Sequence, residues 1–270
     1  MPEALLVAKG LSVRFGGVPA LDGVDLGVDE DEVVGLVGPN GSGKSTFLNA
    51  AGGLLRGRVS GFVSVLGQRN GARAPTLARA GLARSFQAPR LLEHVTIVDN
   101  VLCGAHRALR LTPADLTRPK LVGERKEAVY ERALALLDLA GLAGHAHEPI
   151  RAMPFGTRKL VDIIRALVSQ PKLVFLDEPT SGLDAEDRTV VIELVKRVRE
   201  TSRVSILLVE HHLDLVREVA DRVVALSAGR VLLAGTVDEV FRSPEFADAL
   251  VGGRAGERAP SEQLAAEVGG

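Results

Sequence analysis

Four residues set the first chemical expectation. Gly38, Gly43, Lys44 and Ser45 fall into the pattern G-x-x-x-x-G-K-S, filled as Gly38-Pro39-Asn40-Gly41-Ser42-Gly43-Lys44-Ser45 and followed by Thr46. Glycines at 38, 41 and 43 let backbone amides close around a phosphate, and a helix starting just beyond them points its N-terminus at the same anion. Lys44 then sets a positive charge against β- and γ-phosphates, and the Ser45 hydroxyl is placed to ligate Mg²⁺. The β-branched run Val33–Val37 ahead of the loop reads as a strand buried on both faces, and Thr46–Ala51 as the start of a helix. A chance glycine-rich turn does not bring that strand, lysine and serine with it. The loop alone says nucleotide and no more, because many unrelated activities use it.

A second cluster lies far along the chain. Leu173-Val174-Phe175-Leu176 is apolar and ends in Asp177 and Glu178. A carboxylate at the end of a buried strand beside a phosphate loop can hold Mg²⁺ through water, the role expected of Asp177. Glu178 is then the base that orients and deprotonates the attacking water. An acidic pair after an apolar run is, on its own, equally well a solvated turn. The continuation Pro179-Thr-Ser-Gly-Leu-Asp184 favours the site.

That run from Glu178 to Asp184 resembles the passage of ABC ATPases from their second acidic motif into the D-loop. Three further positions keep the family's order: Phe15 ahead of the loop, Gln87 in Arg84-Ser-Phe-Gln87, and His211 after the apolar run Ile206–Val209. The resemblance covers Leu5–Val251 and implies ATP and Mg²⁺ as cofactors. It implies that Phe15 stacks on adenine, for which a phenyl ring keeps the π-face. It also implies that Gln87 touches Mg²⁺ and relays to a membrane partner, and that His211 contacts the γ-phosphate. The loop ending in Asp184 would cross to the opposite subunit of a head-to-tail dimer. The fold implied is α/β, a P-loop NTPase of the ABC type with a mixed β core and an inserted α-helical subdomain.

Arg14-Phe-Gly-Gly17, the segment from Gly81 to Leu92, Asp99-Asn-Val-Leu-Cys-Gly-Ala-His106 and Val209-Glu-His-His212 narrow the resemblance. They are similar to ATPases of branched-chain amino-acid importers, within a group that also handles urea, other amides and lipopolysaccharide export. The implied function is ATP-driven dimer closure that moves membrane permease subunits, with a solute-binding protein engaged indirectly. The implied location is cytoplasmic, peripheral on the inner face of the cell membrane. The stretch Ala88–Asn100, just after Gln87, is expected to be the coupling surface, with an ordinary helix-capping loop as the equal alternative.

One motif departs from the family. Where the signature reads Leu-Ser-Gly-Gly-Gln, this chain has Met153-Pro-Phe-Gly-Thr157. Gly156 keeps a flexible amide at a helix N-terminus for the opposite subunit's ATP. Pro154 offers neither hydroxyl nor amide hydrogen, although proline suits a helix entrance. A lost hydrogen bond to a charged group costs about 1.5–3 kcal/mol, which weakens a site without abolishing it. The expectation is therefore a heterodimer with a second ATPase subunit, a homodimer being the alternative. Two other readings stay open: a soluble ABC ATPase acting on nucleic acid or ribosomes, and a weakly hydrolysing regulatory ATP-binding subunit. No coiled-coil insertion or second ATPase domain is evident for the first, and Lys44, Asp177, Glu178 and His211 weigh against the second.

The whole chain is compatible with these readings. Its 270 residues carry a formal charge of −1, which argues against a nucleic-acid partner. The apolar runs are strand-sized rather than membrane-spanning. Cys103 is the only cysteine, which excludes an internal disulfide and fits a reducing cytosol. The N-terminus lacks the pattern of a secretory leader. Strands are expected at Leu5–Val7, Leu11–Phe15, Asp25–Val28, Phe62–Val65, Ser205–Val209, Val223–Leu226 and Val231–Leu233. Thr76–Ala140 reads as mostly helical and broken by Pro89, Pro113 and Pro119, with Glu124–Leu139 amphipathic along Val129, Ala133, Leu136 and Leu137. Arg158–Ser169 and Asp184–Glu200 are further helices. A single domain over 1–251 follows, with a helical lobe at about 76–169 and a mobile tail at 252–270.

Overall fold

The structure is a computed structural model that describes residues 4–55, 58–109, 115 and 119–256. Two long strands, β1 (Ala4–Phe15) and β2 (Val18–Asp29), pair antiparallel around a two-residue turn at Gly16 and Gly17. Both glycines have positive φ, which a tight turn of this kind demands. β3 (Val33–Val37) leads through the phosphate loop into α1 (Lys44–Ala51). β4 (Val59–Val65) and the short β5 (Gln68–Arg69) return to the first sheet, ordered β2-β1-β4-β5.

After α2 (Ala74–Ala80), β6 (Leu82–Arg84) enters a second sheet. A helical block follows: α3 (Ile97–Leu102), a 3₁₀ segment Cys103–Arg107, α4 (Pro119–Leu139) and α5 (Phe155–Leu167). The chain then alternates β7 (Leu173–Asp177), α6 (Ala185–Ser202), β8 (Ser205–Val209), α7 (Leu213–Val219), β9 (Arg222–Ser227) and β10 (Arg230–Gly235). It closes with α8 (Val237–Phe241) and α9 (Pro244–Gly256). The second sheet is ordered β10-β9-β3-β8-β7-β6, parallel except for β10.

Every residue of β3, β7 and β8 is buried. Successive side chains face opposite sides of the sheet, so each strand feeds two cores. Val34, Leu36, Phe175 and Leu207 pack with Phe47 and Leu48 of α1 and with the antiparallel sheet. Val33, Val37, Val174, Leu176, Ile206 and Leu208 pack against the helices. In α4 the buried residues Val129, Ala133 and Leu137 recur every four residues, the stripe a helix needs to cover a core. Among the described residues, no helix is long and apolar enough to cross a membrane.

Several elements differ from the sequence reading. The expected strands Leu5–Val7 and Leu11–Phe15 are one strand, Ala4–Phe15, whose pairing with β2 carries register irregularities along its length. The helical reading of Thr76–Ala140 fails at Leu82–Arg84, which belong to the core sheet and pair with Leu173–Phe175. Pro119 starts α4 rather than breaking a helix. At a first helical turn the missing proline N–H costs nothing, because that group has no intrahelical partner anyway. Pro113 lies outside the described residues. The tail expected from 252 is helical through Gly256 as the end of α9, and 257–270 also fall outside the described residues.

Replacing Leu137 by Ala removes a fully buried side chain from the helical layer. We expect the substitution to cost about 2–5 kcal/mol. A lower urea midpoint with an unchanged slope would show it.

Candidate functional site

Parallel pairing aligns the C-terminal ends of three strands at one edge of the sheet. Leu36 stands opposite Val209, and Val209 stands opposite Asp177. The segments that leave these ends are the phosphate loop, Glu178–Asp184 and Glu210–His212. Crevices at such strand ends are where open parallel sheets bind ligands. Here one cavity of 520 Å³ is lined by Ala20, Asn40, Gly41, Gly43, Lys44, Ser45, Thr46, Gln87, Glu178, Ser181 and His211.

The loop's shape depends on two of its glycines. Gly38 has φ 145°, and a Cβ there would collide with the Leu226 carbonyl. At Gly43, with φ 106°, a Cβ would fall 2.7 Å from both the Ala20 carbonyl oxygen and a Leu21 methyl. Lys44 is buried, and its ammonium donates to the Gly38 and Pro39 carbonyls at 2.7 and 2.9 Å. Burial pushes its pKa below the ordinary lysine value, while Glu178, Asp177 and Glu210 pull the other way. The arch therefore encloses a poorly solvated cation. A phosphate reaching this cation would offer stronger, charge-assisted hydrogen bonds than the two carbonyls do. The Ser42 hydroxyl, also buried, has no hydrogen-bond partner.

Glu178 follows β7 with φ 47°, a left-handed conformation that non-glycine residues seldom adopt. Its side chain accepts from Gln87 Nε2 at 2.9 Å, and His211 Nδ1 lies 3.7 Å from the same oxygen. Its amide donates to the Val209 carbonyl at 2.9 Å, tying β7's end to β8. Asp177 is held by Arg84 at 2.7 Å through one oxygen, while its other oxygen is buried without a partner. Arg84 also donates to Asn49 of α1 at 2.8 Å.

Of the positions the sequence singled out, Asn40, Gly41, Gly43, Lys44, Ser45, Thr46, Gln87, Glu178 and His211 meet in this cavity. Gly38, Pro39 and Ser42 shape the loop from behind, and Asp177 sits beneath it. Three others stand apart. Phe15, at the end of β1, has the Arg58 guanidinium 5.3 Å over its ring. Asp184 caps α6 by accepting from the Asp187 amide at 2.9 Å. Gly156 lies in the first turn of α5, where a Cβ would strike the Asp187 carboxylate.

Sequence reasoning missed other contributors. Ala20 and Ser181 line the cavity. Glu210 is fully buried and accepts from the Thr180 amide and hydroxyl at 2.8 and 2.7 Å, and from the His211 and His212 amides at 3.1 and 3.3 Å. It ties the turn after Glu178 to the turn carrying His211. An acid at the end of an apolar strand was the available signal, the same one that marked Asp177.

Loop, acidic strand end and six-stranded sheet together define an ATP-binding cassette. A family profile described as "ABC transporter" matches residues 21–181, and the chain belongs to that family. It is an ATP-binding ATPase whose hydrolysis is coupled to transport. The high-affinity branched-chain amino acid transport ATP-binding protein LivG of Salmonella typhimurium is 34% identical over 93% of this chain and 99% of that one. The corresponding BraF protein of Pseudomonas aeruginosa is 31% identical, again over 93% and 99%. Among solved structures, the ADP conformation of MJ1267, an ATP-binding cassette of an ABC transporter, superposes with a TM-score of 0.77 at 27% identity, over 93% of this chain and 99% of that one.

Lys44→Ala removes the buried cation and leaves the loop backbone in place. We expect saturating ATP to raise the melting temperature of the wild type and to leave that of the variant unchanged, because only a bound ligand stabilises. Equal shifts would show that Lys44 contributes little to nucleotide affinity.

Proposed function

We propose that this chain hydrolyses ATP at the cavity above Gly38–Ser45 and that its pairing with a second ATPase subunit drives membrane permease subunits. The convergence of Gln87, Glu178 and His211 on the phosphate loop carries this reading. Glu178 is the base for the attacking water, and Gln87 fixes the carboxylate's orientation. His211, 3.7 Å from the same oxygen, stands where a γ-phosphate would be contacted. Phe15 offers a ring for adenine and Asp184 helps to shape the crossing loop.

Mg²⁺ fits the donor set. The unpartnered buried oxygen of Asp177 calls for a positive partner, and Ser45 and Gln87 supply neutral oxygens in the cavity. The described residues contain no group of three or more His, Cys, Asp or Glu able to hold a metal, so phosphate oxygens would complete the coordination. Bound there, the ion would neutralise charge developing on the phosphates.

The solute is a branched-chain amino acid or a related small polar molecule, by analogy with relatives named for that transport. The chain would sit peripherally on the cytoplasmic face, with the stretch 88–100 against the permeases. A solute-binding protein would engage the assembly indirectly. We take 1–251 as one ATPase domain, with the helices between β6 and β7 as its helical subdomain.

The pair is best read as a heterodimer, for which the N-terminus of α5 gives the reason. Pro154 occupies the N-cap without a side-chain hydrogen bond, and the Asp187 carboxylate packs against Gly156. A phosphate approaching this helix end lacks one donor and meets a nearby negative charge. The partner's ATP would therefore be handled less well than this chain's own.

Two measurements test these points. Glu178→Gln should retain ATP binding and stop steady-state hydrolysis, and sustained turnover would remove Glu178 from its role. Pro154→Ser should raise hydrolysis by the chain alone, by up to about a hundredfold if the lost hydrogen bond is to a charged group. Brisk, cooperative hydrolysis by the wild-type chain alone, unchanged by the substitution, would overturn the asymmetric pairing.

A further inference from the structure

Helix α5 carries two buried charges one turn apart, Lys159 and Asp162. Its other inward residues, Leu160, Val161, Ile163 and Ile164, are apolar, so packing alone did not require them. Burying charge is costly unless each group finds partners. Their partners lie on the catalytic side of the molecule. Lys159 Nζ donates to the Glu178 carbonyl oxygen. Asp162 accepts from the Phe86 amide at 2.8 Å and is held by Arg165. Phe86 adjoins Gln87, whose side chain reaches the Glu178 carboxylate at 2.9 Å. Helix α5 thus grips the main chain at both ends of the Gln87–Glu178 hydrogen bond.

We propose that Lys159 is a positioning residue for ATP hydrolysis: it fixes Glu178 through its carbonyl and, with Asp162, registers that carboxylate to the helix whose N-terminus faces the opposite nucleotide. The inference rests on the roles given above to Glu178 and to the paired arrangement. The Glu178 carbonyl sets the peptide plane at a residue in left-handed backbone. Pro179 has no amide to offer, and the Ser181 amide, at 3.1 Å, is the remaining donor. An ammonium supplies a stronger, charge-assisted hold. Burial pushes the Lys159 pKa down, while Glu210, Glu178, Asp162 and Asp177 oppose that shift and favour the charged donor. Movement of α5 along its axis would shift the Glu178 carbonyl and the Phe86 amide together. Occupancy at the helix N-terminus would in this way reach the chain's own base.

The test compares Lys159→Met, Lys159→Arg, Glu178→Gln and the Lys159→Met/Glu178→Gln double variant in the full chain with its partner ATPase. Steady-state kinetics, single-turnover kinetics and fluorescent-nucleotide binding are read for each. Lys159→Met should lower kcat about tenfold or more while KM and nucleotide affinity stay within about twofold, since it removes an interaction made through the base. Lys159→Arg should recover most of kcat. In single turnover the double variant should be no slower than Glu178→Gln alone, because residues acting through one another are not additive. Wild-type kcat in Lys159→Met, losses that multiply in the double variant, or a fall in affinity equal to the fall in kcat would each overturn the proposal. Turnover retained by Glu178→Gln would instead remove the functional reading on which it rests.

Discussion

Parallel alignment of β3, β8 and β7 is the constraint on which everything else depends. The phosphate loop, Glu178 and His211 are far apart in sequence and come from three different strand ends. They meet because each strand stops at the same edge of the sheet. A one-residue slip of β7 would turn Asp177 to the opposite face and carry Glu178 away from the loop. Complete burial of all three strands guards against that slip, since every misplaced side chain would leave one core and crowd the other. The antiparallel sheet contributes by covering α1, which keeps the loop's backbone closed over Lys44.

Charge governs the ground beneath the cavity. Asp177, Glu178 and Glu210 are buried, and so are Lys44 and Lys159. Arg84, partly buried, completes the set. None of these groups would remain ionised alone in a poorly solvated environment. Asp177 is matched to Arg84, Glu178 to the Gln87 side-chain amide, and Glu210 to backbone amides and the Thr180 hydroxyl, while Lys44 and Lys159 donate to carbonyls. Such an arrangement resists collapse and leaves Glu178 with a defined orientation. It also leaves one Asp177 oxygen free for a cation, the one unsatisfied carboxylate oxygen identified in the described part of the site.

Much of this was legible in the residues. β3, β7 and β8 announce themselves because strands buried on both faces show no polar alternation, and the loop carries its own pattern. Asp177 and Glu178 could be placed because the acidic pair ends an apolar run and continues into Pro179-Thr-Ser-Gly-Leu-Asp184. β6 could not, since three residues are too few to show a period and its neighbours look helical. Pro119 misled for a positional reason: proline breaks a helix interior and opens a first turn equally well. Lys159 and Asp162 escaped notice because a charged residue on an inward helical face is visible only once the facing main chain is known. Phe15 had a role by resemblance, yet its ring lies outside the cavity under Arg58.

The chain offers two unlike surfaces: the cavity where β3 and β7 end, and a helix end at Pro154 and Gly156 with a carboxylate beside it. On the proposed reading ATP lies against the phosphate loop, with Glu178 and His211 brought to its terminal phosphate. A crystal structure of the Glu178→Gln variant with ATP and Mg²⁺ tests it most directly. Lys44 Nζ should be drawn from the Gly38 and Pro39 carbonyls onto the phosphates, with His211 and residue 178 facing the terminal one. Nucleotide seated elsewhere, or Lys44 still bound to those carbonyls with ATP present, would contradict it.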